Sequence, residues 1–282
     1  MKNKGKLLAL PGFLWLTIFF LVPMLFVVML SFLKRGIYGQ IVYEFTLANY
    51  ARFFESLYVQ IFIETLLVSV GTTIICLLLG YPLAYMITRL DRKWQNLWLL
   101  LVMIPFWINF LVRSYAWVII LRTQGLVNTV LQSLGLIDQP LTLLYTPGAV
   151  LLGMVYALLP FIILPIYVSL EQLDRKKLEA AYDLGATPAK TFWHITLPLT
   201  MPGVVSGCIL VFVSSLGMFV VPDVMGGAKS SLFGNVIQNQ FLSARDWPFG
   251  SALSMVIVLF SIIMIYLYYR ATKMQEKQEG RG

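Results

Sequence analysis

Glu179, Ala180, Ala181 and Gly185 form the most informative spacing in this 282-residue chain. They lie in the segment EQLDRKKLEAAYDLGATPAKTFWHITLPLTMPG, which begins at Glu171. Asp174 is a suitable N-cap, and helix formers follow from Arg175 to Leu184. Gly185 falls at the C′ position, where a left-handed residue ends a helix. Thr187 then caps a second helix, with Pro188 at its first position. Leu178, Ala181 and Tyr182 share one apolar stripe. The small Ala180 and Ala181 leave a flat face that a foreign surface could approach closely. The chemistry on offer is docking, not bond-making. A short capped helix transmits force where a loose loop would not. Glu179 can accept hydrogen bonds from a partner's Arg or backbone N–H groups. The plainer alternative for the segment is an interfacial helix lying on a membrane with no partner. On that reading Glu179 is a solvated charge beside Lys176 and Lys177.

Other side chains suited to chemistry are few. His194 is the only histidine, and Cys76 and Cys208 each sit inside an apolar run, so no metal cluster or disulfide framework follows. Glu64 and Asp223 flank apolar runs, Arg113 interrupts one, and Asn109 lies in the middle of one. Charged residues at a membrane span are functional candidates by default. Asp223 belongs to GMFVVPDVMGG, where Pro222 and the pair Gly226 and Gly227 are expected to break the helix. Broken backbone is tolerated where it lines a cavity, which makes Asp223 a candidate for a pore mouth, with a plain loop aspartate as the alternative. Trp107, Tyr156 and Phe219 are candidate ring faces for a passing cation, although Trp and Tyr also anchor interfaces and Phe packs. The amide of Asn109 must face protein or a water-filled path. Glu64 could equally mark the water interface, and Arg113 is expected to snorkel to the outer headgroups.

These residues need elements to position them, and composition says which. Of the chain, 59% is hydrophobic and 12% charged, with a mean hydropathy of +0.81. Soluble domains are about 45–50% apolar and about 25% charged. The same figures exclude disorder. An all-helical integral membrane protein remains, for which the net charge of +8 need not imply nucleic acid. Six apolar runs predict spans over about 7–33, 61–88, 94–121, 147–170, 195–222 and 247–269, with the docking segment at 171–194. Five spans would follow if the first run were a cleaved signal peptide, but it is too long for an h-region and lacks a small-residue cleavage site. One side of the array then carries 14 of the 21 Lys and Arg, the other 7. The positive-inside rule puts both termini and 171–194 in the cytoplasm. No connecting segment is long enough for a domain with its own core, so 1–282 reads as a single transmembrane domain. Energy for any transport must come from an ion gradient or a partner chain.

The spacing Glu179-Ala180-Ala181, three residues, Gly185, nine residues, Ile195-x-Leu197-Pro198 resembles the EAA motif of ABC-importer permeases. LGYPLAYMITR from Leu79, PFWIN from Pro105, GMFVVPDVMGG from Gly217 and NQFLSARDWPFGSALSMV from Asn239 resemble permease subunits of bacterial spermidine and putrescine importers. The resemblance implies a type I importer permease of six transmembrane helices in the bacterial inner membrane, with Glu179, Ala180, Ala181 and Gly185 on a coupling helix. It implies a homodimeric cytoplasmic ATPase, which binds the ATP and Mg, while this chain holds no cofactor. It further implies a second homologous permease and an extracytoplasmic polyamine-binding protein, in a setting of membrane lipid. Related subunits for iron, thiosulfate or other solutes share much of the pattern. An ATP-independent secondary transporter would want ionisable groups deep in its spans, and spans one, four, five and six have none. An intramembrane enzyme would want a nucleophile–base pair or metal ligands at membrane depth.

Overall fold

The computed structural model describes residues 11–227 and 231–279. Lys2, Lys4, Lys6, Lys229 and Arg281 lie outside the described residues, as do residues 7–10 of the expected first span. In chain order the elements are α1 (Pro11–Ser31), β1 (Leu33–Arg35), β2 (Ile41–Phe45), α2 (Ala48–Phe53), α3 (Ser56–Thr88), α4 (Arg92–Trp107) and α5 (Phe110–Leu121). They continue with α6 (Leu126–Ser133), α7 (Pro147–Glu171), α8 (Arg175–Asp183), α9 (Pro188–Leu216), α10 (Val220–Gly226), α11 (Phe233–Leu242) and α12 (Trp247–Glu279).

Among the described residues, five helices are long and apolar enough to cross a bilayer: α1, α3, α7, α9 and the part Trp247–Arg270 of α12. The third expected span, 94–121, is not straight. It is α4 followed by α5 and α6, bent by 95° at the break, and counting this pair as one span gives six. Two residues cause the bend. Pro105 cannot donate within the last turn of α4. Asn109 adopts a non-helical φ/ψ of −51° and 133° and caps α5, its Oδ1 accepting from the Leu111 N–H at 2.9 Å. The fifth span also departs from expectation. It ends at Leu216 instead of Pro222, because Gly217 terminates α9. Pro222 does not break a helix. It sits in the first turn of α10, where a missing N–H costs nothing.

By their contacts the residues divide into two units, one of 1–60 with 236–282 and one of 61–235. In the first, α1 packs on α12. After α1 the chain turns into the antiparallel pair β1–β2, with Lys34 opposite Val42 and Arg35 opposite Ile41. A two-stranded hairpin is marginal alone, so other groups hold it. Asn49 Nδ2 donates to the carbonyls of Ser31 and Leu33 at 3.0 and 2.8 Å, and Arg35 donates to the Ala244 carbonyl at 2.7 Å. Buried Asp246 accepts from Arg52 at 2.9 Å and from the Phe249 N–H at 3.2 Å, which caps α12. The Arg52 guanidinium lies 4.0 Å from the Phe249 ring centroid and also donates to Tyr58. Burial works against its charge, but the hydrogen bonds and charges of Tyr58 and Asp246 outweigh that and raise its pKa.

In the second unit the core is the α7·α9 pair. Ile162, Ile163, Ile166 and Val211 are wholly buried there. Gly203 makes the approach possible: a Cβ on it would lie 2.5 Å from the Ser169 Cβ and 2.6 Å from the Pro165 carbonyl oxygen. Several polar groups within the spans find partners inside the protein, where hydrocarbon offers none. The Tyr81 hydroxyl bonds Thr200 Oγ1 at 3.0 Å, Gln95 Nε2 donates to the Leu90 carbonyl at 2.8 Å, and Thr65 Oγ1 accepts from the Phe233 N–H at 2.9 Å.

Candidate translocation cleft and coupling helix

The segment 171–194 folds as its local signals dictate. Asp174 caps α8 through the Lys176 N–H at 3.0 Å, and Thr187 caps α9 through the Lys190 N–H at 3.4 Å. Gly185 has φ +80°, and the turn closes with Gly185 N–H on the Tyr182 carbonyl and Ala186 N–H on the Ala181 carbonyl. The apolar stripe is divided differently from expectation. Ala181 is 7% exposed, packed inside the chain, with Leu178 half-buried. Glu179, Ala180 and Tyr182 face outwards, and Leu184 at the turn is 89% exposed. Behind α8 lies an open polar cleft of about 640 Å³, lined by Tyr85, Arg89, Arg92, Glu171 and Glu179 among others. Arg92 and Glu171 form an ion pair in it.

A second cleft, of about 440 Å³, lies where two helices are interrupted. The α4/α5 break contributes Phe106, Trp107, Asn109 and Arg113, and the end of α9 contributes Ser214 and Met218. Asn235 Nδ2 donates to the Phe219 carbonyl at 2.8 Å, a second bond beside the one that oxygen accepts from the Asp223 N–H at 3.0 Å. Across the α4/α5 break, Arg113 Nη1 donates to the Pro105 carbonyl at 2.6 Å. Its guanidinium lies 4.9 Å from the Phe110 ring centroid and 5.7 Å from that of Tyr156. Interrupted helices persist at membrane depth where they line a cavity, which makes this cleft a candidate path for a solute.

Of the residues singled out by sequence, Trp107 and Asn109 line this cleft, and Tyr156 joins it through Arg113. The Asn109 amide is engaged as a helix cap while still exposed at the cleft. Phe219, Asp223 and Glu64 are exposed and are not among its lining residues. Asp223 stands in the first turn of α10, where the helix dipole favours a carboxylate. Arg113 was expected at the headgroups. Instead it is half-buried and turned back onto the helix break. It lies eight residues after Pro105 and four after the capping Asn109, so the contact spans the break. No group of three His, Cys, Asp or Glu among the described residues could hold a metal.

A cleft between broken helices can pass a solute, and a capped helix outside the spans can receive motion from another chain. Together they define the membrane component of a transport system. The chain belongs to the family described as binding-protein-dependent transport system inner membrane component, which matches residues 76–277. It is 45% identical to the spermidine/putrescine transport system permease protein PotB of Salmonella typhimurium, over 99% of this chain and 98% of that protein. It is 44% identical to PotB of Escherichia coli, over 94% and 96% respectively. Its fold matches a bacterial ABC transporter involved in import of the acidic polysaccharide alginate, with a TM-score of 0.69, 17% identity and 96% of each chain covered. The chain is thus a transport permease of the type I importer fold.

Proposed function

We propose that this chain is the permease subunit of an ATP-driven importer of polyamines, spermidine and putrescine. The observation that carries the reading is 45% identity, across nearly the whole of both chains, to spermidine/putrescine permeases. In this reading the chain acts as one domain over 1–282 in the bacterial inner membrane, with both termini cytoplasmic. A second homologous permease completes the path, and an extracytoplasmic binding protein delivers the polyamine. Glu179, Ala180 and Leu184 dock on a homodimeric ATPase, which holds the ATP and Mg, while Ala181 and Gly185 fix the helix that presents them. Trp107, Asn109 and Tyr156 flank the route, with Phe219, Asp223 and Glu64, outside that cleft, drawing a polycation towards it.

One observation favours a different solute: Arg113, the only charged residue among those lining the 440 Å³ cleft, is positive and suits an anion such as thiosulfate. Reconstitution decides between them. The chain, its partner permease and the ATPase are placed in liposomes with the binding protein and ATP, and uptake of labelled spermidine and labelled thiosulfate is compared. ATP-dependent spermidine uptake is the expected result. Thiosulfate uptake without spermidine uptake overturns the reading.

A further inference from the structure

A fixed cation in the path of a cationic solute is a liability unless it has a task, and the surroundings of Arg113 give it one. None of the ion pairs described in the chain includes it. What holds the guanidinium is a carbonyl oxygen and two ring faces: Pro105 O at 2.6 Å, Phe110 and Tyr156. These groups would bind any compact organic cation. The carbonyl is open because the helix is broken. In a continuous helix, Pro105 O would accept from the Asn109 N–H, but Asn109 has left the helix to cap α5. Tyr156 is held in place edge-on to Trp117, with centroids 5.4 Å apart. The site is a cation seat with its own tethered cation in it, at the edge of the cleft.

We propose that Pro105 O, Phe110 and Tyr156 form a binding site for an ammonium group of the solute, and that Arg113 is its resident stand-in. An entering ammonium displaces the guanidinium, and Arg113 returns when the cleft empties. Transport then exchanges one cation for another on the same carbonyl and rings, and the seat is never bare. Between cycles the fixed positive charge bars small cations, as an arginine does in other pores. Arginine suits the task because it stays charged and stacks on aromatic faces. Its flexible stem lets the head swing aside while α5 stays in place. The identity of the displacing cation rests on the polyamine reading, whereas the seat and its seal do not.

The assembled transporter in proteoliposomes tests this with two readouts from the same vesicles: ATP-driven spermidine uptake and potassium leak without ATP. Arg113→Ala is expected to raise the leak well above that of the wild type, since the fixed charge that bars cations is gone. Added guanidinium ion should refill the seat and restore the seal. Arg113→Lys, which keeps a cation there, should leak less than Arg113→Ala. A tight Arg113→Ala complex overturns the proposal, and so does a leak that guanidinium leaves unchanged, since the arginine would then only support the fold. If Arg113→Ala does not copurify with its partners, Tyr156→Leu decides. It removes one wall of the seat and should leak, and a sealed Tyr156→Leu complex overturns the proposal. A wild type that carries no spermidine, combined with rescue of Arg113→Ala by guanidinium, would refute the polyamine reading and leave the seat standing. Spermidine uptake without rescue would do the reverse.

Discussion

Gly185 ends α8 with φ +80°, and a Cβ placed on it would meet nothing within 4 Å. Substitution there is therefore a question of backbone strain alone. A β-branched residue in that conformation costs about 1 kcal/mol or more, whereas Asn visits it readily. The strain bears on Leu184, which the turn presents to solvent. Gly185→Val should greatly reduce copurification of the ATPase and uptake, with the spans still inserted, while Gly185→Asn should keep most of both. Equal losses in the two variants would point to a requirement for an absent side chain instead of a left-handed turn. Ala181 behaves differently. Being buried, it reports on the seating of α8 against its own chain, so Ala180→Trp is the clean probe of docking and Ala181→Trp is not. The caps, the glycine turn and the proline start of this segment were legible in the sequence because each depends on two to four neighbouring residues. Which alanine faces inwards was not, because that is settled by packing against distant parts of the chain.

Elements are held to one another by contacts that no local pattern announces. The hairpin β1–β2, α2 and the start of α12 converge on Asp246, whose side chain is 3% exposed and is bonded to Arg52. Removing either partner is unequal. Arg52→Ala leaves a buried carboxylate with Arg35, 3.8 Å away, as its one remaining cation among the described residues, and should cost about 3 kcal/mol, the low end for a pair whose cation is partly exposed. Asp246→Asn keeps an acceptor for the Phe249 N–H and leaves a half-exposed guanidinium that water can screen, so about 1 kcal/mol is expected. Thermal unfolding of the purified complex in detergent should therefore rank Arg52→Ala below Asp246→Asn, and the opposite order would show that the carboxylate is not the costly group. The interruptions show the same limit. Hydropathy registers how apolar a run is and is blind to bending, so 94–121 read as one straight span. Pro105 and Asn109 carried the local signal for a break, but Arg113 closing back on Pro105 across it is a contact eight residues apart that only the fold reveals. For the fifth span, Pro222 drew attention as a breaker when Gly217 was the residue that stops the helix.

For the whole molecule, the bent pair α4 with α5–α6 decides which side every later segment faces. With six crossings, both termini and α8 share the side that carries 14 of the 21 Lys and Arg. If the pair entered and left by the same face, there would be five crossings. The segment with α8 would then lie opposite Arg89, Arg92 and Lys93, away from any cytoplasmic ATPase. The charges argue for crossing, since Arg175, Lys176, Lys177 and Lys190 would otherwise be outside, and so does the Arg92–Glu171 ion pair in the cleft that Arg89 and Glu179 share, which keeps α8 beside Arg89 and Arg92. A reporter active only in the cytoplasm, inserted after Asp91, after Gly135 and after Asp183, should give signal, no signal and signal. Gly135 is the informative position: it is an exposed turn glycine after α6 at φ +67°, and a Cβ on it would meet nothing within 4 Å. Cytoplasmic signal at Gly135 with none at Asp183 would make the pair re-entrant and place the docking helix on the wrong side for coupling. Silence at Gly135 with signal at Asp183 fixes the pair as a true span, its bend serving to open the cleft around Arg113.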